Sequence, residues 1–181
     1  MIRRTINVTA LTLQATAAAW LLSACAAAPP ASGTPASALS GRFTTPTARY
    51  ALPDGAARLE FATGPYGRET WMVDLDAAGR VLQSLQVLNE AQFADVQQAL
   101  ARTPSVTRAQ LLRWIGTPGE QRSGGRQGGE VWSWRYPTND CLWFQVSVTD
   151  DGGVRGGAYA IDPRCDMGSH LGSHTGSDAK P

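Results

Sequence analysis

Hydrophobic spacing changes twice along the chain. Within residues 90–100 the apolar positions Phe93, Val96 and Leu100 recur at helical spacing, with Asn89 placed to cap the first turn and Gln92 three residues on. Thr103-Pro104 ends that pattern. A second helix is predicted from Thr107, with Gln110 completing a capping box and Leu111, Leu112 and Ile115 on one face. Gly116 and Pro118 stop it. Beyond the helices the period falls to two. Residues 131–136 alternate large aromatics with polar groups, and residues 142–148 put Phe144, Val146 and Val148 on one face. Asp150-Asp151-Gly152-Gly153 predicts a hairpin turn into a last strand over 154–161.

The stretch before the helices echoes the stretch after them. Arg58-Leu59-Glu60-Phe61 parallels Ser133-Trp134-Arg135-Tyr136, and Trp71-Met72-Val73-Asp74-Leu75 parallels Phe144-Gln145-Val146-Ser147-Val148. Asp76-Ala77-Ala78-Gly79-Arg80-Val81 then parallels Thr149-Asp150-Asp151-Gly152-Gly153-Val154. These echoes predict a partial tandem repeat whose first copy lacks the helix pair, although any antiparallel meander gives a similar pattern. The expected order is βββ-αα-βββ, an α+β fold with two helices on an antiparallel sheet. Residues 49–88 would form the first meander and 89–165 the helix-bearing unit.

The two ends read differently. Arg3 and Arg4, an Ala/Leu-rich run over 10–22 and the sequence Leu22-Ser23-Ala24-Cys25 describe a secretory leader over 1–24. Residues 25–48, rich in Ala, Pro, Ser, Gly and Thr, predict a flexible tether, because such a composition buries too little surface to offset its ordering entropy. Residues 166–181, with Gly and Ser around His170 and His174, predict a disordered tail. A metal clip at that histidine pair is disfavoured by its Gly/Ser setting.

Charge and cysteine count narrow the chemistry. Sixteen Lys and Arg face fifteen Asp and Glu. Loss of the leader removes two Arg and no acid, so nothing in the balance points to nucleic acid. The only histidines, His170 and His174, lie in the tail, which argues against Ser-His-Asp, Cys-His and His-zinc catalysis. With Cys25 set aside, Cys141 and Cys165 form an even pair that an oxidising compartment would join; the other reading is two separate buried thiols.

Leu22-Ser23-Ala24-Cys25 resembles the lipobox of bacterial lipoproteins, which implies acylation of Cys25 and a membrane anchor. Ala26, where an inner-membrane retention signal would place Asp, implies the outer membrane. The segment 105–118, Ser-Val-Thr-Arg-Ala-Gln-Leu-Leu-Arg-Trp-Ile-Gly-Thr-Pro, is similar to the G-M-T-x-x-x-V/L helix and L-G-x-P motif of the BamE (SmpA/OmlA) lipoprotein family, with Ser105 where the family has Gly. The aromatic strand, the apolar strand and the turn ending at Val154 follow in the family's order. The resemblance implies two helices on a three-stranded sheet, and an accessory role in outer-membrane β-barrel assembly or envelope integrity. The same helix-helix-sheet unit in tandem also builds a secreted β-lactamase-inhibitor protein, which implies a binder of a periplasmic hydrolase as the alternative.

Candidate chemistry is sparse. Asp74, Asp76, Asp150 and Asp151 sit at predicted hairpin turns, where Asp serves local hydrogen bonding. The Gly-rich stretch 124–129 lacks the Lys-Ser/Thr ending of a phosphate loop. No cofactor, metal or small-molecule substrate is expected, and an enzyme built on an unrecognised carboxylate site is the remote alternative. Trp132, Trp134 and Tyr136 share one strand face, while Trp143 faces away from Phe144. Either a second layer covers Trp143, or it anchors an exposed protein-binding patch, with Trp132, Trp134 and Tyr136 nearby and Arg135 and Arg155 as rim charges.

Overall fold

In the computed structural model, which describes residues 28–63, 68–103, 105–124 and 128–166, two β-meanders flank a helix pair. The first comprises β1 (Ala48–Ala51), β2 (Ala57–Thr63), β3 (Glu69–Leu75) and β4 (Val81–Gln86). Helices α1 (Glu90–Arg102) and α2 (Arg108–Ile115) follow. The second meander is β5 (Glu120–Ser123), β6 (Glu130–Arg135), β7 (Leu142–Val148) and β8 (Val154–Ile161), closed by a short turn of helix, α3 (Pro163–Asp166).

This corrects the expected order βββ-αα-βββ and the expected fold of two helices on a sheet. The protein is mostly two four-stranded antiparallel sheets, in orders β1-β2-β3-β4 and β5-β6-β7-β8, with few and short helices. The added strands are the short edges β1 and β5. Nothing in Glu120-Gln121-Arg122-Ser123 alternates apolar with polar, and its pairing partner, not its own pattern, makes it a strand: Glu120 lies opposite Ser133 and Ser123 opposite Glu130. The three-stranded sheet implied by the BamE resemblance is therefore exceeded as well.

Local chemistry explains both helices. Asn89 Oδ1 accepts the Gln92 amide at 2.9 Å, and Phe93 and Val96 are buried. At α2 the Thr107 hydroxyl accepts from Gln110 N while Gln110 Oε1 accepts from Thr107 N at 2.8 Å, satisfying two otherwise orphaned donors. Gly116 leaves that helix with φ +78°, where a Cβ would stand 2.8 Å from Thr70 Cγ2. Glycine is needed there for conformation and for contact alike. Phe93, Val96, Leu111 and Ile115 close a core with Trp132, Trp134, Tyr136, Phe144, Val146 and Val148.

The repeat is more extensive than the sequence echoes imply, and its register is different. Val81 N bonds to Thr34 O and Val154 N to Val106 O, both at 2.9 Å. Ala36 N bonds to Gly79 O as Arg108 N does to Gly152 O, and Thr47 N to Glu60 O as Gly119 N does to Ser133 O. Isolated bridges join Pro35 to Arg80 and Thr107 to Gly153. Thus residues 34–48 superpose in pattern on 106–120, and the strands from Ala57 onward on those from Glu130. In the strands Phe61 pairs Trp71 as Trp134 pairs Phe144, so Leu59 corresponds to Trp132, not to Trp134. The sequence alignment had slid β2 by two residues, a shift that keeps every side chain on its face and so leaves no trace in the alternation.

The same correspondence overturns the flexible tether expected over 25–48, as far as those residues are described. Residues 34–47 take the place that the α2 segment holds in the second repeat, as two 3₁₀ turns, Ala36–Ala38 and Gly41–Phe43. Phe43, the counterpart of Ile115, is buried against Phe61, with ring centroids 5.3 Å apart and edge to face. Leu59, Phe61, Val73, Leu75 and Val81 complete this second core. The expected leader over 1–24, Cys25 and the tail from residue 167 lie outside the described residues.

The repeats meet through polar groups. Glu60, 0 % exposed, accepts the Tyr50 hydroxyl at 2.5 Å and the Thr117 amide at 2.9 Å. Arg58 forks onto Asp74 (Nε to Oδ1 2.6 Å, Nη2 to Oδ2 2.8 Å) and donates Nη1 to the Arg113 carbonyl near the end of α2 at 2.7 Å. That places a cation at the negative end of a helix. Burial alone would raise the Asp74 carboxyl, but bonds from Arg58 and Gln83 hold it below the ordinary range. Burial, reinforced by Glu60, pushes the Tyr50 phenol well above its usual value.

Candidate functional site

The aromatic residues expected to form a binding patch divide between the two faces of the second sheet. Trp132, Trp134 and Tyr136 point toward the helices. Phe93 stands edge-on to Tyr136 at 5.3 Å and stacks on Phe144 at 4.4 Å, and Trp134 Nε1 donates to Gly116 O at 3.0 Å. All three are buried core residues, not surface anchors. This is a correction, and its cause is the helix pair laid over them.

Trp143 faces the other way and is also buried, 1 % exposed. The exposed Trp/Arg patch is therefore absent at this position. What covers Trp143 is charge: the Arg135 and Arg122 guanidinium carbons lie 4.8 and 4.9 Å from its ring centroid. Arg135 was expected at a rim and is instead 4 % exposed. Its Nε and Nη2 fork onto Asp162 at 2.6 and 2.9 Å, and Nη2 reaches Glu120 at 3.1 Å. One side chain thereby ties the edge strand β5 to the turn after β8. Asp162 is held below the usual carboxylate range; burial opposes this, but the Arg135 fork and the Arg164 amide prevail. A buried pair with this geometry is costly to break from one side, because a lone charge remains in a dry site.

The turn that supplies Asp162 is fastened twice more. Asp162 N donates to Cys141 O at 2.8 Å, and Cys141 and Cys165 lie at disulfide distance, with Cα atoms 5.9 Å apart. Cys141 itself is exposed and has φ +53°.

Of the predicted patch only Arg155 is exposed. It borders an open groove of about 340 Å³ lined also by Val131, Gln145, Ser147, Gly156 and Ala158. The carboxylates singled out as candidate chemistry do not converge. Asp74 is bound by Arg58, Asp76 Oδ1 accepts the Arg80 amide at 2.8 Å, and Asp151 closes the turn with Thr149 and Gly153. Sequence reasoning passed over Tyr50, Glu60 and Asp162, which join distant elements. The nearest signal was Glu60, a charge inside an apolar strand.

No protein-family model matches the chain, and the searches of curated proteins and of solved structures found no match either. What defines the molecule is its own architecture: a tandem of two antiparallel meanders, each with an apolar core on one face.

Proposed function

We propose that the chain is a lipid-anchored lipoprotein facing the periplasm from the outer membrane, acting as a protein-binding module and not as an enzyme. The observation that carries the reading is the pairing of Cys141 with Cys165, the two cysteines left once Cys25 is set aside. Such pairs persist in oxidising compartments, and the leader pattern ending in Leu22-Ser23-Ala24-Cys25 supplies the route there. Binding is favoured over catalysis because the buried carboxylates Glu60, Asp74 and Asp162 are each committed to structural partners. A role in β-barrel assembly or envelope integrity follows from the BamE resemblance. The tandem of similar sheets favours, as a second reading, an inhibitor-like binder of a periplasmic hydrolase.

Intact-mass measurement of the native product tests the anchor. A chain starting at Cys25 and carrying acyl groups is expected, and Cys25→Ser should release it from the membrane fraction. A product retaining residues 1–24 without lipid would overturn the reading. Cross-linking in detergent followed by purification separates the roles: barrel-assembly components support the first, and one soluble hydrolase supports the second.

A further inference from the structure

Trp143 is closed off by side chains, and one of them is held from a distance. Arg122 and Arg135 lie over its ring, and Glu120 takes both, Arg122 Nε at 3.2 Å and Arg135 Nη2 at 3.1 Å. The Arg122 side chain is half exposed, so the buried Arg135 makes the seal. Arg135 is forked in turn onto Asp162, the residue after β8. Ile161, which pairs with Leu142 at the end of β8, is 64 % exposed and adds little to that end of the sheet. The turn beyond it is held by the Asp162 amide on Cys141 O, by the Cys165 amide on Asp162 O at 2.9 Å, and by the link from Cys165 to Cys141. Three features of the closed turn are unfavourable in themselves. Cys141 has φ +53°, a left-handed conformation that costs any residue with a Cβ. The Trp143 indole N–H is buried with no acceptor among the described residues. The Arg135–Asp162 pair gives up in desolvation much of what it gains in attraction. A turn so built is kept shut by its cross-link more than by its own contacts.

We propose that the Cys141–Cys165 link is a redox-sensitive latch: its reduction by a dithiol frees residues 162–166, releases Arg135 from Asp162 and uncovers Trp143 on the sheet face turned away from the helices. Cys141, the more exposed of the two, receives the attack. A thiolate of the dithiol bonds to its sulfur as the bond to Cys165 breaks, and Cys165 leaves as a thiolate and takes up a proton. The second thiolate of the dithiol then displaces Cys141, so the dithiol is oxidised to its disulfide and the protein keeps two thiols. With the link gone, Cys141 relaxes out of the left-handed region and withdraws the carbonyl that the Asp162 amide uses. Asp162 and Arg135 separate into water, and the Trp143 N–H is hydrated. Reoxidation reverses each step. The inference goes beyond the proposed function, since the latch works with or without an anchor at Cys25.

The test is hydroxyl-radical footprinting of the full chain before and after dithiothreitol, with mass mapping of each tryptophan. Reduction should label Trp143 about tenfold faster, within the roughly hundredfold that loss of such a cross-link allows. The core residues Trp132 and Trp134 should keep their slow rates, and reoxidation should restore the protection of Trp143. Cys141→Ser with Cys165→Ser should label Trp143 at the fast rate without reductant and should not respond to it. If that variant fails to fold, the reversible cycle on the unaltered chain decides. Slow labelling of Trp143 in a chain whose two thiols titrate as reduced overturns the proposal. So does a link that the dithiol leaves intact in the folded chain. Equal acceleration at Trp132 and Trp134 overturns it too, because the link would then staple the whole unit instead of latching one face.

Discussion

The two repeats share a hydrogen-bond plan and differ in what covers them. Each turns through the same tight hairpin: Gly79 N returns to Asp76 O and Gly152 N to Thr149 O. Each has one register shift against its last strand, between Asp74 and Leu75 of β3 in one and between Val146 and Ser147 of β7 in the other. Yet among the described residues the second core is closed by two helices and the first by 3₁₀ turns that bring Ala36, Leu39 and Phe43. A backbone network can thus persist while its cover changes, because strand pairing fixes the sheet and the cover needs only to fill volume.

That contrast can be broken experimentally, and the largest effect is expected in the second repeat. Arg135→Ala strands Asp162 in a buried site and should cost about 3–5 kcal/mol in denaturant unfolding. Arg42→Ala, which in the first repeat removes a part-exposed pair with Glu69 at 2.9 Å and a guanidinium over the Phe43 and Trp71 rings, should cost less, about 1–2 kcal/mol. Equal losses would show that the two arginines do equivalent work.

Cys141→Ser with Cys165→Ser opens a loop spanning 24 residues and should lower stability by roughly 3 kcal/mol. In hydrogen exchange the loss of protection should centre on β7 and β8 and leave the first sheet unchanged.

A smaller effect, about 1–3 kcal/mol, is expected for Gly157→Val, whose Cβ would stand 2.9 Å from Phe144 Cζ and 3.3 Å from Gln97 Cγ. The matching change Ser84→Val faces no α1 and should be milder by calorimetry, losing chiefly the bond to Pro30 O. A larger loss at Ser84 would mean that the first sheet is covered there as closely as the second.

The smallest effect is in pH. Asp74 and Asp162 have depressed values, so their contribution is complete above about pH 4, the unfolded value, and is lost as pH falls through the folded values. The Tyr50 phenol is raised, so its contribution is present below about pH 10 and lost as pH rises above it. Melting temperature should therefore decline at both ends, and Tyr50→Phe should lessen the alkaline decline, leaving the share of Tyr136 and Tyr159, whose phenols burial also raises. An alkaline decline left unchanged in that variant would place its origin wholly outside the first repeat.

Face assignments were legible because alternation is local. Trp132, Trp134, Phe144, Val146 and Val148 share a side for reasons visible within a few residues. Coverage was not legible, because it is non-local. The strand pattern left the cover of Trp143 open, because its screening depends on Arg135, which is held by Asp162 27 residues away. Glu60 is a charge inside an apolar strand, and its partner Thr117 lies 57 residues along. The N-terminal segment was misread by composition. One signal was available: Thr45-Pro46 stands before β1 at the same spacing as Thr117-Pro118 before β5.

The fastened turn at Asp162 has a further consequence. In the first repeat the sheet surface bearing Tyr50, Arg58 and Glu60 receives the neighbouring unit. In the second, the matching surface carries Trp143 beneath paired guanidiniums, latched by a covalent staple. The stacking series is therefore blunted at one end. A second copy of the chain finds no bare platform there on which to extend the stack into a filament.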